Sequence, residues 1–386
     1  MKIGIPKEIV TGERRVALAP DAVAKLVESG LDVVVESGAG GSALFTDDKY
    51  IESGARIEPD ASTLFGSVDM VLKVQAPVVN QRTGKHEVEM MSKGTTVIAL
   101  LQPLTNLDLV NMLKEKGITS LSMDTIPRIA RAQSMDALSS MSSLAGYKAA
   151  LIAANSFAKY LPMMITAAGT YPPAKGLVLG AGVAGLQAIA TSRRLGAVME
   201  AFDVRPIVRE QVESLGASFV GTPENLHETE TPGGYAKELA EETQKQERDL
   251  IKAHATAADF IISTALIPGR RAPLLIPEET VKEMKPGSVI VDLAAEAGGN
   301  CESTEPGTEV VKHDVIIHGP LNLPSTMPVH ATQMYSRNIS NLVGHLIKDR
   351  ELALDFEDQI IQGCCITFDG KVVSDAVRNL IENART

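Results

Sequence analysis

The sequence has 386 residues, a length that corresponds to two domains of ordinary size. Hydrophobic residues make up 44% of the chain and charged residues 22%, which is enough apolar material for two globular cores. Tryptophan is absent, aromatic residues make up only 4%, and the net charge is −11. This composition argues against nucleic acid as a partner, because nucleic-acid-binding proteins need aromatic platforms or a basic surface.

The cysteines Cys301, Cys364 and Cys365 have neither the number of a disulfide framework nor the spacing of a metal site, so we predict no metal. The segment Met1–Pro6 resembles a strand and not a signal peptide. No apolar stretch reaches the about 18 residues of a membrane span. We therefore expect a cytoplasmic protein with no direct membrane insertion, which reaches a membrane only through partner subunits.

Strand and helix patterns alternate along residues 1–125, which predicts a parallel sheet with helices on both faces. The predicted strands of this region are Lys2–Ile5, Leu31–Glu36, Val68–Val74, Thr95–Leu101 and Ile118–Ser122, and the predicted helices are Pro20–Ser29 and Asn106–Gly117. An Ala-rich helix follows at Ser139–Tyr160. A second alternating series then contains the strands Gly176–Leu179, Ala197–Phe202, Asp259–Ser263, Ser288–Asp292 and Val315–His318, with helices at Ala184–Leu195 and Arg205–Leu215.

The acidic, Pro- and Gly-containing segment Gly221–Lys245 interrupts this alternation and is predicted to be a mobile loop that runs into a polar helix. Near the end, Ala331–Ile347 is predicted as an amphipathic helix, and Asp369–Gly370 as the turn of a hairpin that returns to the first domain. We predict an α/β fold of two Rossmann-like, doubly wound parallel-sheet domains with a cleft between them. The first domain comprises 1–138 and is completed by 320–386, and the second comprises 139–319.

The segment Gly180–Gly185 fits the pattern G-x-G-x-x-G, with Gly180, Gly182 and Gly185 at its three glycine positions. It follows a predicted strand and opens a predicted helix, which is the context in which this pattern binds a dinucleotide. Its glycines permit the tight turn, the approach of a pyrophosphate to the backbone, and close packing of the helix on the sheet. The start of the helix offers N–H groups to the phosphates. A turn that serves packing alone is the alternative.

Asp203 ends the next predicted strand, where a carboxylate binds the ribose 2′-hydroxyl and repels a 2′-phosphate. This position favours NAD(H) over NADP(H). Arg205, two residues later, keeps the alternative open, because a guanidinium there can bind a 2′-phosphate.

A polar cluster precedes the Ala-rich helix. Gln133, Asp136 and Ser139 are three residues apart and share one face if the segment is helical. One interpretation is a polar wall around a nicotinamide ring, in which Gln133 binds the amide, Asp136 and Ser139 bind ribose hydroxyls, and Arg128 binds a phosphate. The other interpretation is a capped helix start with solvated charges.

Five blocks of the sequence are similar to domain I of proton-translocating nicotinamide nucleotide transhydrogenases. These blocks are Pro127–Lys148, Ile165–Gln187, Gly233–Lys237, Thr264–Arg271 and Gly287–Cys301. The resemblance implies that the chain binds NAD(H) and exchanges a hydride with NADP(H) held on a partner subunit, in a Re/Si-specific reaction coupled to proton translocation. It also implies a membrane subunit and an NADP(H)-binding subunit as partners, and a homodimer.

Hydride transfer between two nicotinamides needs no acid or base, so catalysis depends on proximity and orientation. We expect Gln133 to orient the rings. The predicted cofactor-binding residues, taken from the turn and from the resemblance, are Arg128, Ile129, Ala130, Arg131, Gln133, Ser134, Met135, Asp136, Ser139, Gly180, Gly182, Val183, Gly185, Asp203, Val204, Arg205, Gly234, Tyr235 and Leu266.

Several blocks also resemble alanine dehydrogenase, and Arg15 and Lys73 match the cations that bind its substrate carboxylate. The catalytic histidine of that enzyme is missing, because the corresponding strand continues into Leu101 and Gln102, and its aspartate position holds Glu296. Amino-acid oxidation requires a proton-transferring group. Alanine dehydrogenase therefore remains an alternative, as does a non-catalytic NAD(H)-sensing subunit.

Overall fold

The computed structural model describes residues 1–221, 241–267 and 269–383. Most of the predicted loop Gly221–Lys245, with the site residues Gly234 and Tyr235, lies outside these ranges. The strands are β1 (Lys2–Ile5), β2 (Asp32–Glu36), β3 (Arg56–Glu58), β4 (Met70–Gln75), β5 (Val79–Asn80), β6 (Lys85–His86), β7 (Thr96–Leu100), β8 (Thr119–Ser122), β9 (Met164–Thr166), β10 (Gly169–Tyr171), β11 (Lys175–Leu179), β12 (Val198–Phe202), β13 (Ser218–Val220), β14 (Phe260–Ser263), β15 (Val289–Asp292), β16 (Glu309–Lys312), β17 (Val315–His318), β18 (Ile347–Lys348), β19 (Glu351–Leu352), β20 (Cys365–Phe368) and β21 (Lys371–Val372). The helices are α1 (Pro20–Glu28), α2 (Asp47–Glu52), α3 (Ala61–Ser67), α4 (Glu87–Met90), α5 (Leu107–Lys116), α6 (Ala137–Ser156), α7 (Val183–Arg194), α8 (Arg209–Ser214), α9 (Glu241–Ala257), α10 (Glu278–Glu283), α11 (Pro328–Leu346), α12 (Gln359–Cys364) and α13 (Asp375–Asn383).

The chain divides into two compact units, and the boundary falls inside helix α6. Unit 1 comprises Met1–Met141 and Ser325–Thr386, and unit 2 comprises Ser142–Pro324. Among the described residues, no helix is long and apolar enough to cross a lipid bilayer.

Unit 1 is built on a sheet whose described strands have the order β21-β20-β8-β7-β4-β1-β2-β3. The run from β8 to β3 is parallel, and β20 and β21 add an antiparallel hairpin at one edge. Asp369 and Gly370 form the hairpin turn, both with positive φ, as a two-residue turn of this kind requires. The C-terminal segment therefore returns to the first sheet, as predicted.

Unit 2 is built on a sheet with the described order β13-β12-β11-β14-β15-β17-β16, parallel except for β16. Its central strands β14 and β15 are buried along their whole length, because helices cover both faces of a parallel sheet. From β13 to β17 the order is that of a doubly wound dinucleotide-binding sheet, and the direction of winding reverses between β11 and β14. The predicted fold class is confirmed.

The structure corrects the predicted helix Arg205–Leu215, which is a 3-10 turn at Pro206–Val208 followed by the short helix α8. Arg205 donates its backbone N–H to the Asp203 carboxylate, and Pro206 has no N–H to donate. Helix α6 also starts two residues before the predicted Ser139, because the Asp136 carboxylate accepts the Ser139 N–H and caps the helix there.

Candidate functional site

The Gly-rich turn joins β11 to α7 at the carboxyl ends of the central strands of unit 2. Gly180 has a φ of +94°, and a Cβ at this position would lie 2.8 Å from the Thr264 Oγ1. At Gly185 a Cβ would lie 1.9 Å from the Gly180 carbonyl oxygen. Both contacts are shorter than any real side chain permits, so glycine is required at both positions for the turn to close.

Gly182 differs from the other two glycines because space is open above it. A Cβ at Gly182 would meet only one Arg205 nitrogen, at 3.9 Å. Gly182 precedes the first residue of α7, and that helix has no acidic residue in its first turn. The N–H groups at the start of a helix have no intrahelical partner and attract anions. The turn therefore fits the pyrophosphate of an adenine dinucleotide.

Asp203 lies directly after β12, beside the turn, and is buried. Its carboxylate accepts the Ala181 N–H at 2.7 Å and the Arg205 Nε and Nη2 at 2.9 Å each. The guanidinium of Arg205 is thus paired with Asp203. This pairing weakens the alternative in which Arg205 is held ready for a 2′-phosphate, because the phosphate would have to compete with a carboxylate.

A second acid, Glu247 on α9, lies near this carboxylate. Burial and then the negative charge of Asp203 raise the pKa of Glu247 to about 7. Ionisation of Glu247 therefore adds a second negative charge beside Asp203, which disfavours the binding of a further anion there.

Next to the turn, the loop after β14 is held by a buried network that the sequence did not single out. Thr264 donates its hydroxyl to the Gly180 carbonyl at 2.8 Å. Asn300 accepts the Ala265 N–H at 3.0 Å and donates to the Ala265 carbonyl at 2.9 Å. Asp292, at the end of β15, accepts the Asn300 N–H at 2.8 Å. The end of β15 therefore fixes the loop that contacts the turn. The only indication of this network in the sequence was that Gly287–Cys301, which contains Asp292 and Asn300, is one of the blocks similar to domain I of transhydrogenases.

Two predicted contact residues are apolar side chains left partly uncovered in unit 2. Val183 in the turn is 40% exposed, and Leu266, two residues after Thr264, is 45% exposed. Val204, between Asp203 and Arg205, is partly buried. Uncovered apolar side chains beside polar groups are typical of a ligand site.

The second group of predicted residues lies in unit 1. Ala130–Met135 forms a 3-10 helix in which Ala132 and Met135 are buried. Gln133 and Ser134 are exposed, as are Arg128, Ala130 and Arg131, and Ile129 is half-buried. Residues three apart are aligned in a 3-10 helix, so Gln133 shares a face with Ala130 and not with the buried pair.

Asp136 and Ser139 contact each other. Asp136 accepts the Ser139 N–H at 2.8 Å and its hydroxyl at 2.5 Å. These bonds are those of a helix cap, the second interpretation considered from the sequence, and they hold both side chains next to the segment that carries Gln133. A ribose role for this pair remains a prediction.

Arg15 and Lys73, the cations shared with alanine dehydrogenase, are both buried in unit 1. Lys73 lies on β4, and its Nζ is 3.2 Å from Glu8 and 3.0 Å from Glu87. Arg15 donates to both carboxylate oxygens of Glu13, at 2.8 and 2.6 Å. Although Glu13 is buried, its bonds to Arg15 lower its pKa to about 2. Both cations are therefore buried members of ion pairs and not surface charges.

Comparison with known proteins assigns nearly the whole chain to one family. Residues 4–145 match the family model "Alanine dehydrogenase/PNT, N-terminal domain", and residues 149–375 match "Alanine dehydrogenase/PNT, C-terminal domain". The chain is 49% identical over 380 residues to an NAD(P) transhydrogenase alpha subunit of Rhodospirillum rubrum, covering 98% of this chain and 99% of the relative.

A crystal structure of transhydrogenase from Sinorhizobium meliloti matches with a TM-score of 0.86 and 41% identity, covering 96% of this chain and 100% of that chain. Alanine dehydrogenase 2 of Staphylococcus aureus is less similar, at 31% identity over 344 residues, covering 86% of this chain and 83% of the relative. The chain therefore belongs to the alanine dehydrogenase/PNT family and, within it, to the NAD(P) transhydrogenase alpha subunits.

Proposed function

We propose that this chain binds NAD(H) and exchanges a hydride directly with NADP(H) held on a partner subunit, in a Re/Si-specific reaction that a membrane subunit couples to proton translocation. The chain would act as a homodimer on the cytoplasmic side of the inner membrane and reach that membrane through its partners. The name of the Rhodospirillum rubrum relative, an alpha subunit, supports a multi-subunit complex.

The observation that carries this proposal concerns the two residues directly after strand β7. The resemblance to alanine dehydrogenase implies a catalytic histidine on this strand, but the strand continues here into Leu101 and Gln102, whose backbone N–H groups donate to Asp124. Neither side chain transfers a proton at neutral pH. A reaction that passes a hydride between two nicotinamide rings needs no such group, whereas amino-acid oxidation does.

A bound nicotinamide supplies the hydride chemistry, and the residues of the chain bind and orient it. The start of α7 and the open space at Gly182 hold the pyrophosphate. Asp203 binds the adenosine ribose, Arg128 binds a phosphate, and Asp136 and Ser139 bind the ribose hydroxyls on the nicotinamide side. Gln133 orients the carboxamide, which sets the angle at which a second ring approaches; a small misplacement of reacting atoms can cost about 100-fold in rate.

The test is a mixture of this chain with a purified NADP(H)-binding partner domain, in which reduction of an NAD analogue by NADPH is followed optically. We expect turnover that requires both proteins, and we expect Gln133→Asn to slow it with NADH affinity nearly unchanged. Tight NADH binding without turnover beside a folded, NADPH-loaded partner would favour the sensing subunit instead.

Alanine dehydrogenase is the second candidate because Arg15 and Lys73 match its carboxylate-binding cations. Alanine-dependent reduction of NAD⁺ by this chain alone would support it. The two reactions are distinguished by their requirements, since the first needs a partner protein and the second needs an amino acid.

A further inference from the structure

The 3-10 segment Ala130–Met135, which carries Gln133, is held in place by helix α11. Asn338 and Asn341 both donate their side-chain Nδ2 to the carbonyl oxygen of Ser134, at 2.9 and 3.0 Å. The two asparagines are three residues apart and therefore lie on one face of α11. Asn338 is 6% exposed. One carbonyl, directly after Gln133, thus receives two side-chain amides.

This arrangement satisfies a backbone group that the local structure leaves without a helical partner. The last carbonyl oxygens of a helix receive no hydrogen bond from a backbone N–H of the same helix. Ser134 is the second-last residue of its segment, so its carbonyl belongs to this group. A carbonyl oxygen has two lone pairs, so two donors saturate it. The position of the Ser134 peptide is therefore fixed by two bonds, of which either alone would still hold it.

The same face of α11 holds the segment at a second point. His345, four residues after Asn341, lies 2.6 Å from the Asp358 carboxylate through its Nε2. The other oxygen of Asp358 accepts from Arg131 at 3.0 Å. Hydrogen bonds thus hold the segment on both sides of Gln133, at Arg131 before it and at Ser134 after it. The Gln133 side chain itself is exposed.

We propose that Asn338 and Asn341 form a redundant clamp that positions Gln133 for the reaction. Neither residue touches the cofactor in this role; they act through the Ser134 peptide and are positioning residues. The inference rests on the proposed function, because it takes the orienting role of Gln133 from there. Because the donors share one acceptor, the loss of one is compensated by the other, and the loss of both is not.

The test uses Asn338→Ala, Asn341→Ala and the double variant in the full-length chain, with Arg337→Ala as the control. Arg337 is an exposed residue of the same helix. Each single variant should change hydride transfer by less than about 3-fold, and the double variant should slow it by about 10-fold or more with NADH affinity retained, because coupled residues are non-additive. A further variant, Asn338→Leu with Asn341→Ala, keeps about the volume of the Asn338 side chain but has no donor, so it should be as slow as the double alanine variant.

Amide hydrogen exchange of the peptide that covers 128–136 is measured on the same proteins and does not depend on activity. Faster exchange in the double variant, together with slower transfer, is the expected result. Unchanged exchange overturns the clamp whether or not transfer occurs. Faster exchange with normal transfer overturns the positioning role. If the wild-type chain shows no transfer, the proposed function fails and the exchange data still decide whether the clamp exists.

Discussion

Replacement of Asp203 by alanine is the most informative change at the nucleotide turn. The variant loses a buried carboxylate that accepts the Ala181 N–H and pairs with Arg205 through two side-chain bonds. We propose that this carboxylate also binds the ribose hydroxyl of NADH. A hydrogen bond to a charged group contributes about 1.5–3 kcal/mol, which corresponds to a loss of about 10- to 150-fold in NADH affinity.

The same change releases the Arg205 guanidinium from its pairing with this carboxylate. NADPH affinity should therefore fall less than NADH affinity, or rise, because the 2′-phosphate gains a cation and loses a repelling carboxylate. The assay is titration of each reduced cofactor by fluorescence, with urea unfolding as a separate measure of stability. Asp203→Asn, which preserves the volume, serves as a second variant.

Asp259 provides a matched control. Its carboxylate also accepts a backbone N–H, from Lys175 at 2.8 Å, and also pairs with a cation, Lys285, at 3.1 Å. It lies before β14, at the opposite end of the same sheet from Asp203. Asp259→Ala should lower stability without selective loss of NADH. Unchanged NADH affinity in Asp203→Ala, or an equal loss in Asp259→Ala, would refute the reasoning.

Two further predictions concern titratable groups. Because the folded state raises the pKa of Glu247 from 4.5 to about 7, this residue contributes stability below about pH 4.5 that is lost as the pH rises through 7. Glu247→Gln should flatten the fall in the free energy of unfolding over that interval, and an unchanged slope in urea titrations would contradict it. Burial raises the thiol pKa to about 11 in Cys301 and about 12 in Cys365, and also raises that of Cys364. All three thiols should therefore react with an aromatic disulfide reagent at pH 8 only after denaturation, and rapid labelling of the native protein would be the contrary result.

The sequence predicted well those regions of the fold in which apolar residues recur regularly and turn-forming residues mark the ends of the elements. Strand β1 has the predicted bounds, and the hairpin turn lies at Asp369–Gly370, as predicted. The hairpin β9–β10 was not predicted, because the exposed Gly169–Tyr171 strand has no alternation of apolar and polar residues that would mark one buried face.

The candidate site also contains residues that the sequence predicted and residues that it did not. The glycine turn and Asp203 follow from a pattern that lies within one strand–helix–strand unit of the sequence, and the structure places them together. Asn300 and Asn338 were not foreseen, since each acts on a backbone group distant in sequence, such as Ala265 or Ser134. Local patterns do not reveal which loop or carbonyl an asparagine reaches.

The sheet of unit 1 joins segments from far apart in the sequence. Ser120 on β8 and Thr367 on β20 have their hydroxyl oxygens 2.7 Å apart, although 247 positions separate them. During synthesis, the ribosome therefore completes unit 2 before it has made the strand that covers the edge of β8. The second unit can finish folding first, and the nascent chain carries an open β edge, a site prone to wrong pairing, until strand β20 leaves the exit tunnel.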